Sequence, residues 1–238
     1  MKALVIGLGR MGTFHARALA STGYDVETVD PDPAAGANHA SLPRGQRHYS
    51  AIAIATPIEH LAPTAARVVR WTNNLLVEKP MASSIAEARE LVAALEGRTI
   101  AVGYVERFNP QVLALRERVA LAGVTVRQAR FVRHNTRPTP SVPLDLESHD
   151  RDLARFLGVG EHALFDARGG ASEMRREIHL EVETPTGELV NAFTDLTAHA
   201  TSPLHAQWRA LLDGDGGYAT AADAVAVLED LALPAAVA

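Results

Sequence analysis

The chain has no cysteine in its 238 residues. That excludes disulfide staples and metal sites built on thiolates. No basic tract stands out, the formal net charge is −5 and the pI is about 6.1. A nucleic-acid partner is therefore not expected. No apolar run reaches membrane-spanning length, so no membrane partner is expected either. No charged-then-apolar leader precedes the first apolar run, Ala3–Ile6. A cytoplasmic location is the expectation. What is present is the composition of a folding chain, with 47% hydrophobic and 21% charged residues. The length suits one large domain or two modest ones.

The first hundred residues alternate short apolar runs with helical patterns. Strands are expected at Ala3–Ile6, Val26–Val29, Ser50–Ala55, Leu75–Val77 and Ile100–Val102. Helices are expected at about Arg10–Thr22, Glu59–Val69 and Ile85–Leu95, while Pro31–Arg47 reads as a loop or a degraded helix. This order implies parallel β-α-β units, hence a doubly wound α/β sheet with helices on both faces. After Pro110 the grammar changes. Helices are expected at Gln111–Val119 and Asp145–Leu157, and strands at Thr125–Arg133, Ala163–Ala167, Arg176–Glu183 and Leu189–Thr194. Thr184-Pro185-Thr186-Gly187 joins the last two as a hairpin turn. Two helices, about Leu204–Leu212 and Ala221–Leu231, follow. The expected organisation is a Rossmann-type domain over residues 1–110 and a small α+β domain with a mainly antiparallel sheet over residues 111–238.

Gly7-Leu8-Gly9-Arg10-Met11-Gly12 follows a strand and opens a helix, which is the context a dinucleotide fingerprint requires. Gly7 permits the tight turn, Gly9 admits a pyrophosphate to the backbone, and Gly12 lets helix pack on strand. Arg10 and Met11 lie within the same loop-to-helix junction. Asp30 ends the second strand, 23 residues after Gly7. Its carboxylate suits a ribose diol and would repel a 2′-phosphate, which favours NAD over NADP. The competing reading is a ligand-free glycine turn with Asp30 as a turn residue. Thr56 and Pro57 close the next strand, and His60 lies in the first turn of its helix; alone they are a helix start and a surface histidine.

Glu78-Lys79-Pro80 stands at the carboxyl end of a later strand of the same sheet. A lysine there would lie beside the nicotinamide end of a bound dinucleotide. Burial would lower its pKa towards neutrality, which suits proton transfer to or from an alcohol. The competing reading is a solvated lysine at a strand end. Asp145 and His149 are four apart, so on a helix they share a face. A carboxylate and an imidazole so placed can bind a sugar diol and relay a proton. They could also supply two metal ligands, but no convincing third accompanies them. Otherwise Asp145 is a helix cap. Asp150 and Asp152 read as solvated or interdomain residues.

With these motifs in hand the chain resembles the glucose–fructose oxidoreductase, inositol dehydrogenase and rhizopine-catabolism (Gfo/Idh/MocA) family. The resemblance rests on the glycine fingerprint, Ala55-Thr56-Pro57 with His60, Glu78-Lys79-Pro80, and Asp145 with His149-Asp150 and Asp152. Val102–Pro110, and more faintly Ser202–Trp208, resemble the UDP-N-acetylglucosamine 3-dehydrogenases within that family. The resemblance implies a Rossmann domain plus an open α/β substrate domain, shorter here than is usual. It implies NAD(P)-dependent hydride transfer at a secondary alcohol of a sugar, sugar nucleotide or related glycoside. Lys79, Asp145 and His149 then handle the substrate hydroxyl, and Gly7, Gly9, Arg10, Met11, Gly12, Asp30, Thr56, Pro57, His60, Glu78 and Lys79 line the cofactor. A homo-oligomer through the second-domain sheet is implied as well. A non-catalytic sensor, and a redox-neutral elimination or glycoside cleavage using the same cofactor, stay open as alternatives.

Overall fold

The computed structural model describes residues 1–45, 47–95, 98, 100–197 and 202–231. Two compact units form, the first from Met1–Tyr104 together with the segment from Leu204, the second from Val105–Pro203.

In the first unit β1 (Lys2–Ile6), α1 (Arg10–Ser21), β2 (Asp25–Val29), β3 (Ala51–Ile54), α2 (Ile58–Val68), β4 (Leu75–Val77), α3 (Ile85–Ala94) and β5 (Ala101–Val102) follow the expected alternation. The strand order is β2–β1–β3–β4–β5, all parallel. From Ala3 to Ile6, Ala51 to Ile54 and Leu75 to Val77 every side chain is buried. Such uninterrupted apolar strands belong to a parallel sheet covered on both faces. The sheet winds outwards in both directions from β1 and β3, so the topological switch point lies between their carboxyl ends.

The sequence reading assigns residues 111–238 to the second domain. The folded chain divides differently, because it returns to the first unit with α6 (Pro203–Asp213), β10 (Ala219–Thr220) and α7 (Ala221–Asp230). β10 pairs antiparallel with β5 and covers its free edge. α7 is started by a capping box in which Thr220 and Asp223 bond reciprocally. It lies against α3, with Arg89 Nη2 2.6 Å from Glu229 Oε1. A two-residue strand carries no periodicity, which is why β10 escapes a reading by pattern.

The second unit holds α4 (Pro110–Val119), β6 (Thr125–Asn135), α5 (Ser148–Phe156), β7 (Ala163–Gly169), β8 (Arg175–Glu183) and β9 (Leu189–Asp195). Its sheet runs β7–β6–β8–β9; β6 and β7 are parallel and the other pairs antiparallel. The β8–β9 hairpin closes as expected, with Gly187 at φ +84° donating to the Thr184 carbonyl at 2.9 Å. Val112 and Leu115 of α4 and Leu153 and Ala154 of α5 pack on Ala129, Phe131, Ile178 and Leu180 of the sheet. The helix expected over 145–157 is shorter. Pro143–Glu147 forms a π-helical turn, and α5 begins only at Ser148.

No helix of the described residues is long and apolar enough to cross a membrane.

Candidate active site

The glycine loop has three distinct environments. Gly7 takes φ +87°, and a Cβ there would lie 2.6 Å from the Ala55 carbonyl oxygen. A Cβ on Gly12 would lie 1.8 Å from the Gly7 carbonyl oxygen, so only glycine lets α1 start this close to β1. At Gly9 a Cβ would meet nothing within 4 Å. The loop is thus sealed against the sheet at two glycines and open at the middle one. Gly9 is also the N-cap of α1 and brings no side-chain cap, leaving the first N–H groups to whatever lies in front of them. Arg10 is exposed and Met11 half-buried as they open the helix. Asp30 Oδ2 accepts from the Leu8 N–H at 2.7 Å, and Oδ1 from Asp32 N–H at 2.9 Å. The acid expected to receive a ribose therefore also holds the loop itself, and each oxygen keeps a further lone pair.

The strands end in register. Ile6 pairs with Ile54, and Ile54 with Val77. The hydrogen bonding then runs one residue further: Ala55 N–H donates to Ile6, Glu78 N–H to Ile54 and Gly103 N–H to Val77, at 2.8–2.9 Å. Gly7, Ala55, Glu78 and Gly103 consequently form one row along the carboxyl edge. Glu78 stands two strand spacings from Gly7, about 10 Å. Thr56 and Pro57 follow Ala55 along this edge, and the Thr56 Oγ1 is buried without a hydrogen-bond partner among the described residues. His60 is exposed in the first turn of α2. Lys79 is half-buried and leads through a cis peptide to Pro80. Met81 follows, fully buried at φ +75°, a left-handed backbone that a non-glycine residue adopts at a cost of about 1–2 kcal/mol.

Glu78 itself is buried, and its partner comes from a distant part of the chain. Oε1 lies 2.8 Å from Nε2 of His15, which is fully buried in α1. His15 Nδ1 in turn accepts from the Trp208 indole N–H at 3.0 Å. Beside them Gln207, also fully buried, donates to the Val102 carbonyl at 3.0 Å. Motif reasoning misses this group. The signal in the sequence is that His15 falls on the apolar stripe of α1, with Gly12, Ala18 and Leu19. An imidazole on a core-facing stripe needs a polar partner.

In the second unit Asp145 lies in the π-helical turn rather than at a helix cap, and its Oδ2 accepts from the Thr139 hydroxyl. His149 is half-buried in the first turn of α5. Asp150 and Asp152, read from sequence as solvated or interdomain residues, are 2% and 1% exposed and are held inside this unit. Arg107 grips Asp152 with Nε and Nη2 at 2.6–3.1 Å. Arg133 Nε donates to Asp150 at 2.8 Å and reaches Glu106 at 3.5 Å. The reason is the amphipathic α5: its buried face carries both acids as well as Leu153 and Ala154, so each acid must meet an arginine inside. Burial pushes the Asp150 carboxyl up to about 6, against the pull of Arg133, while Glu106 and Glu147 push the same way as burial.

A switch-point crevice, a loop open only at Gly9 and an acid at the end of β2 define a dinucleotide-binding unit. Residues 1–104 match the family described as "Oxidoreductase family, NAD-binding Rossmann fold". Residues 1–104 are thus similar to the NAD-binding unit of that oxidoreductase family. The Gly9 opening and the unpartnered Thr56 hydroxyl fit such a nucleotide. Among curated relatives, the UDP-N-acetylglucosamine 3-dehydrogenase of Acidithiobacillus ferrooxidans is 27% identical over 173 residues, covering 68% of this chain and 55% of that protein. The inositol 2-dehydrogenase of Rubrobacter xylanophilus is 31% identical over 138 residues, covering 50% of this chain and 40% of that one. The chain thus spans about half the length of the curated relatives it matches. The crystal structure of GenD2 from gentamicin A biosynthesis in complex with NAD shares the fold, with a TM-score of 0.76, 22% identity and coverage of 98% of this chain and 92% of that one. A myo-inositol dehydrogenase from Corynebacterium glutamicum does so too, with a TM-score of 0.76, 17% identity and coverage of 98% and 94%.

Proposed function

We propose that the protein is an NAD-dependent dehydrogenase or reductase acting on a secondary alcohol or ketone of a sugar, sugar nucleotide or related glycoside. The observation that carries this reading is Lys79, set at the carboxyl edge of the nucleotide sheet two strands from the glycine loop. Bound NAD supplies the hydride acceptor. Lys79 takes the hydroxyl proton on oxidation and returns it on reduction. Asp145 and His149 are the second unit's groups for a sugar diol, with the Thr139 hydroxyl holding the Asp145 carboxylate. Gly9, Arg10 and Met11 face the pyrophosphate from the start of α1, Asp30 takes the ribose diol, and Thr56, Pro57 and His60 lie along the same edge. The names of the two curated relatives support a sugar-like substrate.

The proposal includes a cytoplasmic location and a homo-oligomer built on the second sheet. Leu164, Arg130, His179 and Phe193 stand side by side across four strands of that sheet. Leu164 and Phe193 are more than half exposed.

The direct test is incubation with NAD⁺ and a panel of nucleotide sugars, free sugars and inositols, followed at the NADH absorbance. Reduction of NAD⁺ by a panel member is the expected result; NAD binding with no reduction by any member would count against a dehydrogenase.

A second expectation concerns cofactor choice. NAD(H) should bind more tightly than NADP(H), since a 2′-phosphate would be brought against the Asp30 carboxylate. Fluorescence titration of both cofactors decides it. Tighter NADP(H) binding would remove Asp30 from the ribose and point to a basic residue of the following loop, such as Arg44 or Arg47.

A further inference from the structure

We propose that His15 is a positioning residue for Lys79, held in a single tautomer by Trp208 and fixing the Glu78 carboxylate beside the lysine turn. The proposal rests on the proton-transfer reading of Lys79.

The tautomer follows from donor arithmetic. An indole N–H can only donate. His15 Nδ1, 3.0 Å from it, must therefore present a lone pair. The ring hydrogen then sits on Nε2, which faces Glu78 Oε1 at 2.8 Å and donates to it. The two rings meet edge-on, with centroids 5.8 Å apart and an interplanar angle of 89°. With the opposite tautomer a lone pair would face the carboxylate and the Trp208 N–H would lose its acceptor, both in the buried interior.

The other end of the chain of bonds is the lysine turn. Glu78 Oε2 lies 3.3 Å from the Lys79 N–H. It is also pressed against Gly103, where a Cβ would fall 2.8 Å from it. One oxygen is thus wedged between Gly103 and Lys79, and the other is bonded to His15. The carboxylate has no second orientation that keeps both. If the only need were to fill space under the sheet edge, apolar side chains would serve there at less cost than a buried carboxylate and imidazole. A directional chain from α6 through α1 to the residue before Lys79 is what a fixed lysine requires.

Three measurements on the full chain test this. Long-range ¹H–¹⁵N spectra of the wild-type histidines should show His15 protonated at Nε2 and bare at Nδ1; the reverse tautomer or an imidazolium overturns the proposal. The chain holds two lysines, Lys2 and Lys79. Reductive ¹³C-methylation therefore gives each its own signal, with Lys2 as the internal control. In NAD-loaded protein the Lys79 signal should titrate at a different midpoint in His15→Leu than in wild type. It should titrate near the wild-type midpoint in His15→Gln, whose amide can still donate to Glu78. Equal midpoints in wild type and His15→Leu, or equal displacement in both variants, would overturn the positioning role.

The third measurement is turnover of the panel sugar that reduces NAD⁺. His15→Leu should lower kcat by about 10–100-fold, as loss of a residue supporting a functional group does, with NAD affinity unchanged. Trp208→Phe, which keeps a ring but removes the donor, should fall in the same direction. Lys79→Ala run in parallel separates the two ideas. Lost activity there with wild-type kinetics in His15→Leu overturns the positioning role alone; retained activity in Lys79→Ala overturns both.

Discussion

Lys79→Ala should lose turnover by a factor on the order of 10²–10⁴, the range for removing a general acid–base group. NAD should still bind, because the glycine loop and Asp30 belong to β1, α1 and β2, not to the turn after β4. Lys79→Arg should not recover the loss, since a guanidinium stays protonated and cannot take a proton from an alcohol. The two variants should keep the wild-type melting temperature, as Lys79 is only half-buried. Steady-state kinetics run beside a thermal melt separate lost chemistry from lost folding. Near-normal kcat in either variant would take Lys79 out of the mechanism and leave the reading without its proton-transfer group.

The second large effect is on stability. Asp150→Ala strands Arg133 in the interior of the second unit. Arg133 is 4% exposed, and its other acid, Glu106, is 3.5 Å away and shared with Arg176. Breaking a buried pair on one side costs about 3–5 kcal/mol. Denaturant unfolding of Asp150→Ala against wild type should show a loss of that size; a change below about 1 kcal/mol, the scale of an exposed pair, would mean that Arg133 finds solvent.

The same site sets a pH dependence, and its sign is unusual for a carboxylate. The folded protein holds the Asp150 proton up to about 6, above the ordinary value of 3.8. Between those values the folded state binds more protons than the unfolded one. The Asp150 contribution to stability therefore improves as pH falls from about 6 towards 4 and worsens as pH rises through that window. Asp150→Asn, which cannot ionise, should remove this slope. Stability curves of wild type and variant that stay parallel across the window would show that the carboxyl is not raised.

What the sequence disclosed is what lies close together along the chain. The glycine loop, Asp30 at the end of β2 and the lysine at the end of β4 are each set by a strand and the turn that follows it. Periodicity marks the strand and turn chemistry marks the rest. The alternating order of elements was enough for the doubly wound sheet, and the hairpin at Thr184–Gly187 was marked by its turn residues. What stayed hidden depends on contacts made across the chain. His15 looks like any residue of an amphipathic helix until Trp208, 193 residues later, is placed against it. Asp150 and Asp152 look solvated because carboxylates usually are; only the fold reveals Arg133 and Arg107 beneath them. The π-helical turn before α5 moved Asp145 out of the helix, a change of register that apolar spacing does not record.

The return of the chain to its first unit bears on how the protein is made. Synthesis runs from the amino end, and domains tend to fold as they emerge. Here β1 to β5 leave the ribosome long before α6. Until Trp208 is available, His15 has no donor to select its tautomer, and β5 has a bare edge awaiting β10. The first unit must wait through the whole of Val105–Pro203 before Trp208 can reach His15. Its final assembly is an act of the chain's late segment upon its early one, so the entropy loss of closing a very long loop falls on the unit that holds the glycine loop and Lys79.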